Sequence, residues 1–76
     1  MPIRVAVLLF PDFSNLCLAN AVEPLRAAND LSRKLLYRWH FVGLEAGQVA
    51  SSSGLPVTPE MRLSEMAGAD YLLVMP

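Results

Sequence analysis

Two hydrophobic periods succeed one another along this chain. Val5 to Phe10 (VAVLLF) is continuously apolar and stops at Pro11-Asp12. A short run with no polar alternation reads as a strand buried on both faces, the mark of a parallel sheet. That strand is predicted over Ile3 to Phe10. Beyond it, Leu18, Ala21, Val22, Leu25 and Ala28 recur at helical spacing and form one apolar stripe for packing on a sheet. Asp12 and Ser14 each offer a side-chain oxygen to cap the start of this helix, and Asn29-Asp30 marks its expected end. Pro24, inside the helix, lacks the N–H that would bond the carbonyl of Asn20, so a kink is expected there.

Tyr37-Arg38-Trp39-His40-Phe41-Val42 alternates and is rich in β-formers, which predicts a second strand. Tyr37, Trp39 and Phe41 fall on one face, Arg38 and His40 on the other, a pattern suited to a place near a sheet edge. Two brief strands, around Val49-Ala50 and Leu55 to Val57, flank the Ser51-Ser52-Ser53-Gly54 turn as a short hairpin. Leu63 to Ala67 suffices for about one helical turn, Gly68 closes it, and Tyr71 to Met75 is the next core strand. The fold class is therefore α/β with a mainly parallel sheet, the first strand lying between the second and the last.

Open α/β sheets hold ligands in the crevice at the carboxyl ends of their strands. The loop after the first strand and the start of its helix are thus the place for binding residues, with Asp12, Phe13, Cys17 and Asn20 as candidates. Cys17 stands between Leu16 and Leu18 and reads as a buried small hydrophobe rather than a reactive thiol. Ser51 to Ser53 lack the Gly-x-Ser-x-Gly frame of a nucleophile and read as a turn. No catalytic residue is assigned.

Composition changes the picture in one respect. The 76 residues are 54% hydrophobic and only 17% charged. A chain so short buries only about 60–65% of its unfolded surface, too little to hide that much apolar area. Asp70 to Pro76 breaks off where another loop should begin, so the chain is expected to be the opening piece of a larger domain or to be covered by a partner subunit. Net charge is −1, which leaves no basic footprint for nucleic acid in this segment. The single cysteine excludes an internal disulfide or multi-cysteine zinc site, and His40 has no second ligand at metal spacing. No motif calls for a cofactor. Pro11-Asp12 cuts the first apolar run too early for a signal peptide, and no run approaches the ~18 residues of a membrane span, so a cytoplasmic location is expected.

The phrases VAVLLFPDF, VEPLRAAN, SSSGLPVTPE and ADYLLVMP together resemble the ThiJ/PfpI superfamily. Its fold is the class I glutamine amidotransferase-like, flavodoxin-like three-layer sandwich. FSNLCLANAVEPLRAAN, YRWHFV and SSSGLPVTP are similar, more narrowly, to the amino-terminal domain of AraC-type transcriptional regulators. The resemblance covers residues 1–76 as the amino-terminal portion of one such domain. It implies a ligand-sensing and oligomerisation role, with a small-molecule effector, a homodimer, and DNA contact through a helix-turn-helix domain further along. The alternative it leaves open is a ThiJ/PfpI-type hydrolase, amidase, hydratase or glyoxalase-like enzyme with a cysteine nucleophile beyond Pro76. In those enzymes a glutamate from the first helix sits beside the cysteine. Its position falls on Cys17 here, which implies a binding pocket rather than a catalytic one.

Overall fold

The first strand is enclosed on both faces and both edges, and the remaining elements are arranged around it. The structure is a computed structural model and describes every residue from Met1 to Pro76. The elements in order are β1 (Ile3–Leu9), α1 (Asn15–Ser32), β2 (Tyr37–Gly43), β3 (Val49–Ala50), β4 (Pro56–Val57), β5 (Met61–Arg62), a 3-10 turn (Leu63–Glu65) and β6 (Tyr71–Met75). The main sheet runs β5-β2-β1-β6, all parallel, with Val7 opposite Phe41 of β2 on one side and Leu73 of β6 on the other. The β2-β1-β6 order is the arrangement expected from the sequence, and β5 adds a two-residue edge strand that was not expected from it. β3 and β4 pair antiparallel as a separate hairpin, also as expected.

The two faces of β1 are served differently. Val5, Val7 and Leu9 point to the helix side, where Leu18, Val22 and Leu25 of α1 pack on them together with Trp39, Phe41 and Leu73. The apolar stripe of the helix thus lands where its spacing placed it. Ala6, Leu8 and Val42 point to the other face, which is covered by Phe10, Met61, Leu63 and Met66. Leu72 and Val74 of β6 remain about half exposed, at 49% and 48%.

Several local expectations are corrected. Ser14 alone caps α1, its Oγ accepting from the Cys17 N–H at 3.2 Å, with Ser14 in extended backbone (φ −83, ψ 125). Asp12 is not a cap. It sits at φ 68 as the third residue of a β-turn closed by the Phe13 N–H donating to the Phe10 carbonyl at 3.2 Å. Pro11 at the second position and a positive φ at the third are the signature of a type II turn. β1 itself stops at Leu9, one residue short of the expected end.

The helix does not stop at Asn29-Asp30 either; it continues to Ser32, and Arg33 closes it in the left-handed conformation at φ 57. Asn29 is used otherwise. Its Oδ1 accepts from the Leu36 and Tyr37 N–H groups, both at 2.9 Å, and its Nδ2 donates to the Tyr37 carbonyl at 2.9 Å. It fastens the end of α1 to the start of β2. Pro24 leaves the helix unbroken from Asn15 to Ser32 and lies on its exposed side, where the freed Asn20 carbonyl can be hydrated.

Asp12→Gly relieves a left-handed backbone at the expense of a looser unfolded chain, and chemical denaturation of the full chain should show a gain of about 0.5–1 kcal/mol. Asp12→Val should lose about 1 kcal/mol or more, since a β-branched residue fits that φ poorly. Expressed alone, the 76 residues should self-associate through their uncovered apolar surface. Sedimentation showing a clean, cooperatively folding monomer would contradict this.

Candidate functional site

At the carboxyl ends of β1 and β2 the chain leaves the sheet twice. The first exit is the Phe10–Phe13 turn. It is held at one side by the hairpin: the Asp12 N–H donates to the Ala50 carbonyl and the Ser52 N–H to the Phe13 carbonyl, both at 2.8 Å. Phe13 is fully enclosed and belongs to the core beneath the turn. Ser51 is the organising polar group of the hairpin. Only 2% exposed, its Oγ accepts from the Leu55 N–H at 3.0 Å and the Ser53 N–H at 3.3 Å, and it lies 3.1 Å from Ser53 Oγ. Asn15 Nδ2 in turn donates to Ser53 Oγ at 2.6 Å, tying the start of α1 to the same turn.

The second exit, Leu44 to Gln48, leaves β2 and crosses to β3. Between the two exits lies a cleft of about 290 Å³. Leu9, Phe10 and Pro11 form one wall and Leu44 to Val49 the other. This volume lies near the lower end of the ~300–1,000 Å³ usual for small-molecule sites. Its walls are mainly apolar, with Glu45 and Gln48 as the polar side chains, so it suits a small molecule with an apolar body and a few polar groups.

A second, more polar cleft of about 200 Å³ lies on the other side of Glu45, Ala46 and Gly47, against Pro59 to Arg62 and Glu65. Apart from Glu45, its charges are already engaged. Glu60 Oε2 accepts from the Phe41 N–H at 2.8 Å and Oε1 lies 3.3 Å from His40 Nδ1. Glu65 Oε1 accepts from the Arg62 N–H at 2.9 Å, and this bond, reinforced by the Arg62 side chain, holds the Glu65 carboxyl below its ordinary range. No group of His, Cys, Asp and Glu side chains is placed to hold a metal ion.

The four residues singled out from the sequence are not brought together on the cleft. Asp12 is exposed and adjoins Pro11, a wall residue; Phe13 lies beneath the turn. Cys17 and Asn20 are on the exposed face of α1 and line neither cleft. The expected burial of Cys17 is therefore corrected. The stripe through Leu18, Ala21, Val22 and Leu25 faces the sheet, and Cys17 is turned about 100° from its leading residue, Leu18. Leu16, its other apolar neighbour, is 70% exposed. The wall from Leu44 to Gln48 went unnoticed in the sequence. The rule that ligands gather at strand ends applies to β2 as well as to β1, and that was the available signal.

No protein-family model matches the chain. Curated relatives do. It is 42% identical over 73 residues to the HTH-type transcriptional regulator GbdR of Pseudomonas aeruginosa, covering 96% of this chain and 20% of that protein. The HTH-type regulator CdhR of the same species is 40% identical over 67 residues, 88% of this chain and 20% of that protein. GlxA of Rhizobium meliloti is 46% identical over 54 residues, 71% of this chain and 17% of that protein. The chain thus spans about a fifth of the length of these relatives.

Among solved structures, an AraC family transcriptional regulator from Pseudomonas putida superposes with a TM-score of 0.84 at 27% identity, covering 97% of this chain and 46% of that one. A DJ-1 superfamily protein from Agrobacterium tumefaciens shares the fold, with a TM-score of 0.68 at 24% identity over 97% of this chain and 37% of that one.

Ser51→Ala should cost about 1–2 kcal/mol in denaturant titrations, because the Ser53 and Leu55 N–H groups lose their buried acceptor. Cys17→Ala should change stability by no more than about 0.5 kcal/mol, as at an ordinary surface site. The native Cys17 should also alkylate about as readily as it does in denaturant. Below the ordinary carboxylate range the Glu65–Arg62 cap should open. A depressed pKa contributes stability above the unfolded value and loses it as pH falls through the folded one, so exchange of the Arg62 amide with solvent should quicken relative to its intrinsic rate on acidification. In sequence the chain belongs with the AraC-type helix-turn-helix transcriptional regulators, and its fold is one that the DJ-1 superfamily protein shares.

Proposed function

We propose that this chain is the ligand-sensing part of an AraC-type transcriptional regulator, with its effector bound in the cleft between the β1 and β2 exits. The observation that carries the reading is the coincidence of two facts. The chain aligns over 96% of its length with a transcriptional regulator, and its apolar cleft lies at the strand ends where α/β sheets bind ligands. Asp12 and Phe13 enter through the turn they help to form. Cys17 and Asn20, facing outward on α1, are assigned no part in it.

Contact with DNA belongs, on this reading, to a helix-turn-helix elsewhere in the full protein, which acts as a homodimer in the cytoplasm. No helix in this chain is long and apolar enough to cross a membrane. Catalysis is not part of the proposal. The first turn of α1 holds no acidic residue, and the nearest acid in the helix, Glu23, is exposed and paired with Arg26. A thiolate from elsewhere would find no carboxyl at the start of this helix to share a proton with.

The test is a thermal-shift screen of the full chain against small metabolites, followed by a promoter-binding assay. A ligand at 100 times its Kd should stabilise the protein by about 2.7 kcal/mol. Gln48→Trp fills the cleft from an exposed position that makes no hydrogen bond within the chain. It should abolish both the thermal shift and the effector response while operator binding persists. Undiminished effector affinity in Gln48→Trp would overturn the assignment of the cleft.

A further inference from the structure

The wall between the two clefts differs from every other connection to the sheet. Leu44 to Gln48 are all exposed, and none of the five makes a backbone or side-chain hydrogen bond to the rest of the chain. Glu45, Ala46 and Gly47 line both clefts at once. Gly47, at φ +104, holds a backbone conformation that residues with a Cβ rarely adopt, and a Cβ there would meet nothing within 4 Å. The wall is therefore thin, unbonded and bordered by open space. Its root is different: a Cβ on Gly43 would lie 3.2 Å from both the Glu45 carbonyl oxygen and Pro59 Cγ. The root of the wall therefore packs directly against Pro59, which lines the second cleft.

We propose that Leu44–Gln48 is a movable partition, and that filling the cleft beside Pro11 drives it towards Pro59–Glu65. The inference rests on the effector reading of that cleft and supplies its outlet. Met61 and Leu63, which follow Pro59, cover the face of the sheet formed by Ala6, Leu8 and Val42. Pressure on the second cleft therefore reaches the segment that covers the far side of the sheet from α1. Two hydrogen bonds report on it: the Glu60 N–H donating to the Phe41 carbonyl at 2.9 Å, and the Arg62 N–H donating to Glu65 Oε1 at 2.9 Å. Both lie beyond the partition from the filled cleft, so a change in either is a change carried through it.

A tethered group tests the partition without any effector. In a Cys17→Ser background of the full chain, with any other accessible cysteines replaced, Pro11→Cys carries a benzylthio group attached as a disulfide by benzyl methanethiosulfonate, with release of methanesulfinate; the methyl reagent is the control. Gln48→Cys, treated likewise, places the same group from the opposite wall and stands in if the turn at Pro11 does not tolerate substitution. Hydrogen exchange resolved to single amides should show the Glu60 and Arg62 amides altered by about fivefold or more with the benzyl group relative to methyl, the lower end of ordinary coupling between sites. Unchanged exchange at both amides with both tethers, attachment being verified by mass, would overturn the partition. A failed effector search would leave this result standing, because the tether needs no effector; an unmoved partition would equally leave the cleft free to bind one.

Discussion

Everything in this structure follows from a strand that is denied water on all sides. β1 has parallel neighbours on both edges and packed side chains on both faces, with Val5 to Leu9 all at or below 4% exposure. Taking those side chains out of water is the principal favourable term, at about 1.5–3 kcal/mol for each large apolar side chain. A strand enclosed in this way cannot pair through a hairpin, so its chain must leave over one end of the sheet and return by a helix. The departure is abrupt, because Pro11 has no N–H with which to continue the ladder. Phe10-Pro11-Asp12-Phe13 makes it in four residues, with Asp12 at positive φ, and the cleft is the space this departure leaves beside the one from β2.

The hairpin of β3 and β4 matters for the same reason. A turn that carries backbone strain at Asp12 needs to be held in place by its surroundings. The bonds from Asp12 to Ala50 and from Ser52 to Phe13 do this, and Ser51, buried and satisfied by its own loop, keeps the hairpin in the shape that makes them. One wall of the cleft is therefore rigid by construction. The other, Leu44 to Gln48, has no such bonds. That asymmetry, a fixed wall facing a loose one, is what a sensor requires: a ligand can shift an equilibrium only if it interacts differently with two arrangements of the protein.

Periodicity made the sheet and helix legible, since the strand of β1, the stripe of α1 and the alternation of β2 are each dictated by the faces they bury. What escaped was decided by contacts between distant residues. Asn29 reads as a helix terminator because its side chain competes locally for backbone; here that side chain is used on β2 instead, and the helix runs on to Ser32. Cys17 reads as buried because leucines flank it, but neighbours in a helix point about 100° apart, and only Leu18 of the two packs on the core. Asp12 reads as a helix cap because its side chain is a good acceptor, whereas the preceding proline was the signal for the turn it makes instead. The cleft itself was half legible. Its β1 wall follows from the strand-end rule, whereas its β2 wall depends on how far the chain travels before β3 returns it to the turn.

A structure of the full protein with the proposed effector bound would decide the matter. The effector is expected between Leu9–Pro11 and Leu44–Val49, its apolar part against Phe10 and Leu44 and its polar groups towards Glu45 or Gln48. An effector seated instead on the outward face of α1, against Cys17 and Asn20, would contradict this account of how the fold produces a sensor.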